Sequence, residues 1–212
     1  MNRRPEAAVT WCFDFISPYA YFGLQTLKRL SAAADVRYQP VLLAGLLNHW
    51  GQKGPAEIAP KRVWTYRWCV WWAKQNDIPF RAPAAHPFNS LPYLRLSIAA
   101  GNSPEAIRTI FAALWTTGSD PADSSRIAAL AKSLGVRRES LSDVGVKKAL
   151  RENTAQAVQR GVFGVPSLCI DQHVFWGSDS VDFAAAYLMD PGILATEEMR
   201  RAETLPVGAS RR

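Results

Sequence analysis

The amino-acid sequence predicts an α/β protein in which a βαβ unit and a ββα unit are separated by a long all-helical block. Three observations support this prediction. A nearly continuous apolar run at residues 9–15 is typical of a strand buried on both faces. After a second strand-like segment at residues 36–39, strand patterns return only after residue 166. The residues between about 57 and 160 contain helix starts and stops with almost no strand signal.

The first unit is predicted from three adjacent segments. After the strand at 9–15, Ser17 and Pro18 open a helix, because a proline in the first turn loses no hydrogen bond. Residues 36–39 then alternate as a half-buried strand. In the helical block, helices begin at Ser103 and Asp123, and another runs from about 142 to 160.

The second unit begins with a predicted hairpin. Residues 167–170 and 174–176 are strand-like and flank a tight turn at Asp171-Gln172-His173. A last helix follows, and its buried face is predicted to carry Val181, Phe183 or Ala184, and Tyr187 or Leu188.

This order of elements is that of a thioredoxin-like βαβ…ββα domain with a large all-helical insertion. We expect the thioredoxin-like domain to be discontinuous, over residues 8–55 and 161–190, with the insertion at residues 56–160. Residues 191–212 carry charge and few large apolar side chains, so we expect a mobile tail there.

The composition argues against several functions. No apolar run is long enough to span a membrane, and the polar start does not resemble a secretory signal, so we expect a cytoplasmic protein. The net charge of +7 lies largely in the tails, without a basic stripe interleaved with aromatics. We therefore expect small anionic ligands rather than nucleic acid. The three cysteines are far apart and the three histidines lack ligand spacing, which predicts buried thiols and no metal site.

Ser17 lies at the predicted junction between the first strand and the first helix. Unpaired backbone N–H groups and the helix dipole favour negative charge at such a junction. Thioredoxin-like redox proteins place Cys-x-x-Cys there, because the same field stabilises a thiolate. The corresponding Ser17-Pro18-Tyr19-Ala20 contains no sulfur, which excludes disulfide exchange by the usual route and leaves a hydroxyl at an anion site. A capping role alone stays open, since serine is a favoured N-cap.

Two further segments could complete a binding site. Val165-Pro166 directly precedes a strand, where the thioredoxin fold keeps a cis-proline opposite the active-site turn. A cis bond there would leave the N–H and C=O of Val165 free to pair with a peptide such as glutathione, and an ordinary trans turn is the alternative. Asp179 and Ser180 could hold the charged ends of a γ-glutamyl group, or could simply begin the last helix.

Four segments together resemble one enzyme family, over roughly residues 9–188. They are FDFISPYAYFG, PVLLAGLLNHWGQKGPAEIAPKR, HPFNSLPYLRL and RGVFGVPSLCIDQHVFWGSDSVDF. The chain is similar to the 2-hydroxychromene-2-carboxylate isomerases, relatives of the kappa-class glutathione transferases and of DsbA. The resemblance implies a thioredoxin-like fold, a homodimer, glutathione as cofactor and an aromatic carboxylate as substrate. It also implies that Ser17 donates a hydrogen bond to the glutathione sulfur.

The resemblance points to further contacts with glutathione or substrate, at Asn48, Gln52, Lys61 and Arg62. Lys61 is the preferred partner for a ligand carboxylate. Gln52 aligns where kappa-class members commonly have asparagine, which weakens its assignment. Each of these residues could equally be a solvated polar side chain.

Asn89 and a group of tryptophans complete the candidates. Asn89 either caps the helix that begins near Ser90 or contacts the substrate. Four tryptophans recur at helical spacing, at Trp64, Trp68, Trp71 and Trp72. We expect this stripe to lie in the core, although an aromatic substrate would need a flat apolar wall.

These expectations leave three hypotheses of function. The first is a glutathione-dependent isomerase that interconverts 2-hydroxychromene-2-carboxylate, or a related cyclic hemiketal, and trans-o-hydroxybenzylidenepyruvate in the degradation of aromatic compounds. The second is a kappa-like glutathione transferase, which would consume glutathione. The third is a non-catalytic thioredoxin-like module that binds peptides.

Overall fold

Four strands form one mixed sheet in the computed structural model, which describes residues 8–30 and 34–209. β1 (Val9–Phe13) is central: β2 (Val36–Pro40) runs parallel to it and β3 (Ser167–Ile170) antiparallel. β4 (His173–Trp176) pairs with β3 as an antiparallel hairpin, so the strand order is β2-β1-β3-β4. The predicted α/β class and thioredoxin-like order of elements are confirmed.

The helices lie where the sequence predicts them, with two additions. A helix at Leu43–Trp50, before the insertion, and a helix at Glu197–Glu203, in the predicted tail, were not predicted. None of the helices within the described residues is long and apolar enough to cross a bilayer. The helices are α1 (Pro18–Thr26), α2 (Leu43–Trp50), α3 (Ala59–Gln75), α4 (Leu91–Ala99), α5 (Pro104–Trp115), α6 (Ser124–Ser133), α7 (Val144–Gln159), α8 (Val181–Met189) and α9 (Glu197–Glu203).

Three segments differ from the prediction: the hairpin turn, the start of α7 and the tail. The hairpin turn consists of Asp171 and Gln172 alone, because His173 already pairs with Ile170; Asp171 takes the left-handed conformation that such a short turn needs. A 3-10 helix at Arg138–Ser142 precedes α7, which therefore begins at Val144. The predicted tail contains a 3-10 helix at Pro191–Ala195 and α9, and its mobility stays a prediction.

β1 is buried on both faces, as its continuous apolar run predicts. On one face, Trp11 and Phe13 stack on each other and join the large core cluster shared with the insertion. On the other face, Cys12 and Cys169 lie in a smaller cluster under α2 and α7. All three cysteines are buried and unbridged, which confirms their prediction as buried thiols.

The insertion is bonded directly to the chain segment that leaves β1. Trp115, at the end of α5, is fully buried and donates its indole N–H to the carbonyl of Phe15 at 2.9 Å. The indole also stacks on Phe80, with 5.8 Å between ring centroids. A carbonyl in this apolar environment needs a donor, so Trp115 holds the backbone just before α1 in place.

We expect Trp115→Phe to lower the free energy of unfolding by about 1–3 kcal/mol, because the Phe15 carbonyl would stay buried without its donor. Trp71→Phe is the control: Trp71 is 53% exposed, and the change should stay within about 0.5 kcal/mol. Urea unfolding followed by circular dichroism measures both. Equal effects of the two substitutions would contradict a structural role for the Trp115 indole N–H.

Candidate active site

The three segments singled out in the sequence meet at one end of the sheet. A side chain on Gly23 of α1 would begin 3.2 Å from Cγ of Pro166 and 3.7 Å from Cβ of Ser178. Gly23 therefore lets α1 approach both the loop before β3 and the loop before α8. The N–H of Gly177 donates to the carbonyl of Pro166 at 2.9 Å, which ties those two loops together.

Ser17 is the N-cap of α1 and is buried. Its Oγ accepts a hydrogen bond from the N–H of Ala20 at 3.2 Å, so the predicted capping role is confirmed. Its hydroxyl also points at the carbonyl of Val165, at 3.4 Å. This distance is long for a hydroxyl donor, so the single hydroxyl hydrogen is only weakly engaged.

The predicted cis bond between Val165 and Pro166 is confirmed. The N–H of Val165 donates no hydrogen bond within the part of the chain that the structure describes, whereas its carbonyl receives the long contact from Ser17. The loop thus presents one unpaired donor and one weakly paired acceptor beside the Ser17 hydroxyl. An extended peptide backbone offers the complementary acceptor and donor.

Asp179 and Ser180 lie at the start of α8. Ser180 is the residue before the helix, but its hydroxyl donates to the carbonyl of Gly177 at 2.8 Å rather than capping α8. Asp179 is exposed. Burial raises the pKa of the Tyr19 hydroxyl, and the negative charge of Asp179 adds to this shift. The charge of Asp179 is thus felt at Tyr19, two residues after Ser17. A ligand-binding role for either residue stays a prediction.

Asp14, which the sequence analysis did not single out, holds the turn that carries Ser17. Its buried carboxylate accepts hydrogen bonds from the N–H of Ile16 at 3.1 Å and from the N–H of Leu43 at 2.8 Å. Burial raises the pKa of Asp14 from its usual value of 3.8 to about 6, although these hydrogen bonds act in the opposite direction. The carboxylate thus joins the end of β1 to the start of α2.

His86 is a second residue that the sequence analysis did not assign to the site. Its Nε2 lies 2.7 Å from the carbonyl oxygen of Ile16, and its Nδ1 lies 2.6 Å from the hydroxyl of Tyr66. Because a carbonyl can only accept, Nε2 carries the proton and Nδ1 accepts from Tyr66. Burial lowers the pKa of His86, which favours this neutral form. No spacing pattern reveals this role, since both partners are distant in sequence.

The core position expected for the tryptophan stripe on α3 is confirmed only in part, because Trp68 and Trp72 are half-buried against the large core cluster and the other two are exposed. Trp64 and Trp71 are 60% and 53% exposed, because α3 lies at the surface and only Thr65, Cys69 and Ala73 of its turns are buried. The stripe starts beside the active-site turn, where the ring of Trp68 lies 5.2 Å from that of Tyr19. Trp68 also stacks on Trp64 and Trp72. We name Tyr19, Trp64, Trp68 and Trp72 the aromatic wall.

The remaining candidates lie at the surface. Ser90 is the N-cap of α4, and Asn89, one residue earlier, accepts a hydrogen bond from the N–H of Leu91 at 3.1 Å, which supports its predicted role at the helix start; substrate contact stays a prediction. Four residues of α2, α3 and the segment between them are exposed, and their ligand contacts also stay predictions. They are Asn48, Gln52, Lys61 and Arg62.

Comparison with known proteins identifies the family. The model of the DSBA-like thioredoxin domain family matches residues 8–189, and the chain belongs to this family. A 2-hydroxychromene-2-carboxylate isomerase of Sphingobium xenophagum is 29% identical over 86% of this chain and 98% of its own length. A glutathione S-transferase kappa 2 of Caenorhabditis elegans is 28% identical over 86% of this chain and 92% of its own length. The solved structure of a selenomethionine 2-hydroxychromene-2-carboxylate isomerase superimposes with a TM-score of 0.74 and 25% identity, over 94% of this chain and all of that one.

The raised pKa of Asp14 predicts a pH-dependent stability. Between pH 3.8 and about 6, the unfolded chain loses the Asp14 proton while the folded chain keeps it, so the folded state loses stability as the pH rises. The stability difference between the wild type and Asp14→Asn should therefore fall by about 2 kcal/mol from about pH 4 to about pH 7. Urea unfolding at both pH values measures it.

Asp123→Asn is the control for this prediction, because hydrogen bonds from Ser125 lower the pKa of Asp123. The stability that the Asp123 carboxylate contributes is lost only as the pH falls below its usual pKa of 3.8, so the difference for Asp123→Asn should stay nearly constant from about pH 4 to about pH 7. A difference for Asp14→Asn that is constant or rises with pH would contradict a buried carboxyl group with a raised pKa.

Proposed function

We propose that the protein is a glutathione-dependent isomerase that interconverts 2-hydroxychromene-2-carboxylate, or a related cyclic hemiketal, and trans-o-hydroxybenzylidenepyruvate. The observation that carries this proposal is the position of the Ser17 hydroxyl, at the N-terminus of α1 and 3.4 Å from the carbonyl of Val165. The isomerases and kappa-class transferases among the relatives support a reaction that depends on glutathione.

The residues around Ser17 fit glutathione. The unpaired N–H of Val165 and its weakly paired carbonyl match the backbone groups of a peptide. The Ser17 hydroxyl can turn its hydrogen from Val165 towards a sulfur at little cost, because the present contact is long. Asp179 and Ser180 would hold the γ-glutamyl end, and Gln52 and Lys61 would contact the rest of the tripeptide.

When bound, glutathione would supply a thiol for reversible addition to the conjugated double bond of the opened substrate, so that this bond can rotate before elimination returns the thiol. Ser17 would stabilise the negative charge at the sulfur position. The dipole of α1 would act in the same direction, because Ser17 lies at the positive N-terminal end of this helix. The buried turn would keep water away from the hydroxyl.

The energies are sufficient for this role of Ser17. A thiol with a pKa near 8.5 is mostly protonated at neutral pH, and lowering that pKa by about 2 units requires about 2.7 kcal/mol. One hydrogen bond to a charged group contributes roughly 1.5–3 kcal/mol. The helix N-terminus adds about 0.3–2 kcal/mol. Ser17 and α1 together can therefore produce the thiolate.

The aromatic wall supports an aromatic substrate. Its rings begin at Tyr19, two residues after Ser17, and extend along α3 to the exposed Trp64. Lys61 and Arg62 precede Trp64 on the same helix and would attract the substrate carboxylate, with Asn48 and Asn89 as further polar contacts. We also propose a homodimer and a cytoplasmic location; three unbridged cysteines are consistent with a reducing compartment.

A kappa-like glutathione transferase is the alternative that the relatives favour. It would use the same Ser17 site but would consume glutathione. A non-catalytic module would use the loop at Val165 and Pro166 to bind peptides and would not need the Ser17 hydroxyl.

We expect Ser17→Ala to lower turnover of the hydroxychromene carboxylate about 10- to 150-fold, because it removes one hydrogen bond to a charged sulfur. Ser103→Ala is a matched control. Ser103 also precedes a proline at a helix start, and its Oγ accepts from the N–H of Ala106 at 3.2 Å, as Ser17 does from Ala20. Both variants should lose about 1 kcal/mol of stability, but only Ser17→Ala should lose turnover.

Calorimetry with glutathione at pH 7.5 and an ultraviolet scan of the substrate, with and without thiol, decide between the alternatives. Binding with faster interconversion at constant total thiol supports the isomerase. Binding with loss of thiol indicates the transferase. No binding at millimolar glutathione, or equal turnover in the wild type and Ser17→Ala, would contradict the proposed mechanism.

A further inference from the structure

A groove of about 570 Å³ lies between α2, α4 and α7, and it is lined by positive charge. Arg95 of α4 and Lys147 of α7 are half-buried in it, and Arg151 lies one turn after Lys147. No acidic residue among those described lines the groove. These three cations also take part in none of the ion pairs found in residues 8–30 and 34–209.

Among these three cations, Arg95 has a buried hydrogen-bond donor that is unpaired within the described residues. Its Nε is buried and has no hydrogen-bond partner within the described chain. Buried donors are nearly always paired, and a guanidinium group pairs best with a carboxylate or a phosphate. The Nε–H of Arg95 is therefore a buried donor that remains available to an anion in the groove.

The residues on the walls and floor of the groove indicate the chemical character of the rest of a bound anion. Leu91, Leu150 and Val158 line it with aliphatic side chains. The floor is closed where Gly45 lets α2 approach Thr154 of α7, whose hydroxyl oxygen accepts from the N–H of Leu42 at 3.0 Å. The polar groups of the floor are thus paired with each other, and the aliphatic walls suit an apolar body.

The groove contains neither Ser17 nor the loop at Val165 and Pro166 among its described lining residues, although Leu91 on its wall donates its N–H to the proposed substrate contact Asn89. α7 packs on β2, where the side chain of Gln39 donates to the carbonyl of Asn153 at 3.0 Å. The loop at Val165 and Pro166 precedes β3, which lies on the other side of β1.

We propose that this groove binds an amphiphilic organic anion, with a carboxylate or phosphate head at Arg95 and Lys147 and an apolar body against Leu91, Leu150 and Val158. The site does not depend on the isomerase activity, and a ligand there would occupy a second position on the chain. Arg151, exposed at the mouth, would attract the anion from solution.

Calorimetry of the full chain with octanoate and with octyl phosphate tests this proposal and distinguishes the two head groups. We expect saturable binding of at least one of them, unchanged in Ser17→Ala and not displaced by glutathione. Arg95→Met keeps the aliphatic stem and should weaken binding about tenfold or more, because it removes a charge-assisted hydrogen bond. Arg108→Met, on the exposed surface of α5, should bind as the wild type does.

Lys147→Met provides the same test if Arg95→Met does not fold, since Lys147 lies on the opposite helix of the groove. Octanol and inorganic phosphate are the ligand controls, and each should bind at least tenfold more weakly than the amphiphile. Equal binding of octanol and octanoate would overturn the proposal, as would no saturable binding of either amphiphile. Full binding in both Met variants, or loss of binding in Ser17→Ala, would overturn it as well.

Discussion

The turn at residues 14–17 is held by groups that lie far away in the sequence, and the geometry of the candidate site depends on these bonds. The Asp14 carboxylate accepts from the N–H groups of Ile16 and Leu43. The carbonyls of Phe15 and Ile16 accept from Trp115 and His86, both in the insertion. Because consecutive backbone groups are fixed in this way, Ser17 enters α1 with its hydroxyl directed at the loop before β3.

The sheet brings together chain segments that are about 150 residues apart. Ser17 follows β1, and Val165 precedes β3; since these strands are antiparallel neighbours, both segments emerge at the same end of the sheet. Gly23 then allows α1 to pack against Pro166. The strand order thus brings the two segments of the site together, whereas the insertion supplies the hydrogen bonds to Phe15 and Ile16 and the tryptophans of the aromatic wall.

Short sequence motifs were sufficient to predict the fold and the segments at the centre of the candidate site. Ser103 before Pro104 marks a helix start by itself, and a Val-Pro pair before a strand has few structural meanings in this order of elements. The bonds of His86 and Trp115 to the turn could not be predicted, because they depend on how α3 to α5 pack. For the same reason, helical spacing identified a stripe at Trp64 and Trp71 but not which side of α3 faces the solvent. The groove at Arg95 is also a product of tertiary packing.

The bonds from the insertion to Phe15 and Ile16 limit how the two parts of the protein can move. Swinging the insertion away from the sheet as a rigid body would break the buried bond of Trp115 and the partly buried bond of His86, at about 1–3 kcal/mol each. It would also break the bonds of Gln39 and Leu42 to α7 and expose the core shared around Phe111. A hinge between the parts would thus be costly to open. At the proposed site, rotations of the exposed Trp64 side chain, which take picoseconds to nanoseconds, would then be enough to change the opening beside Ser17 without moving the insertion.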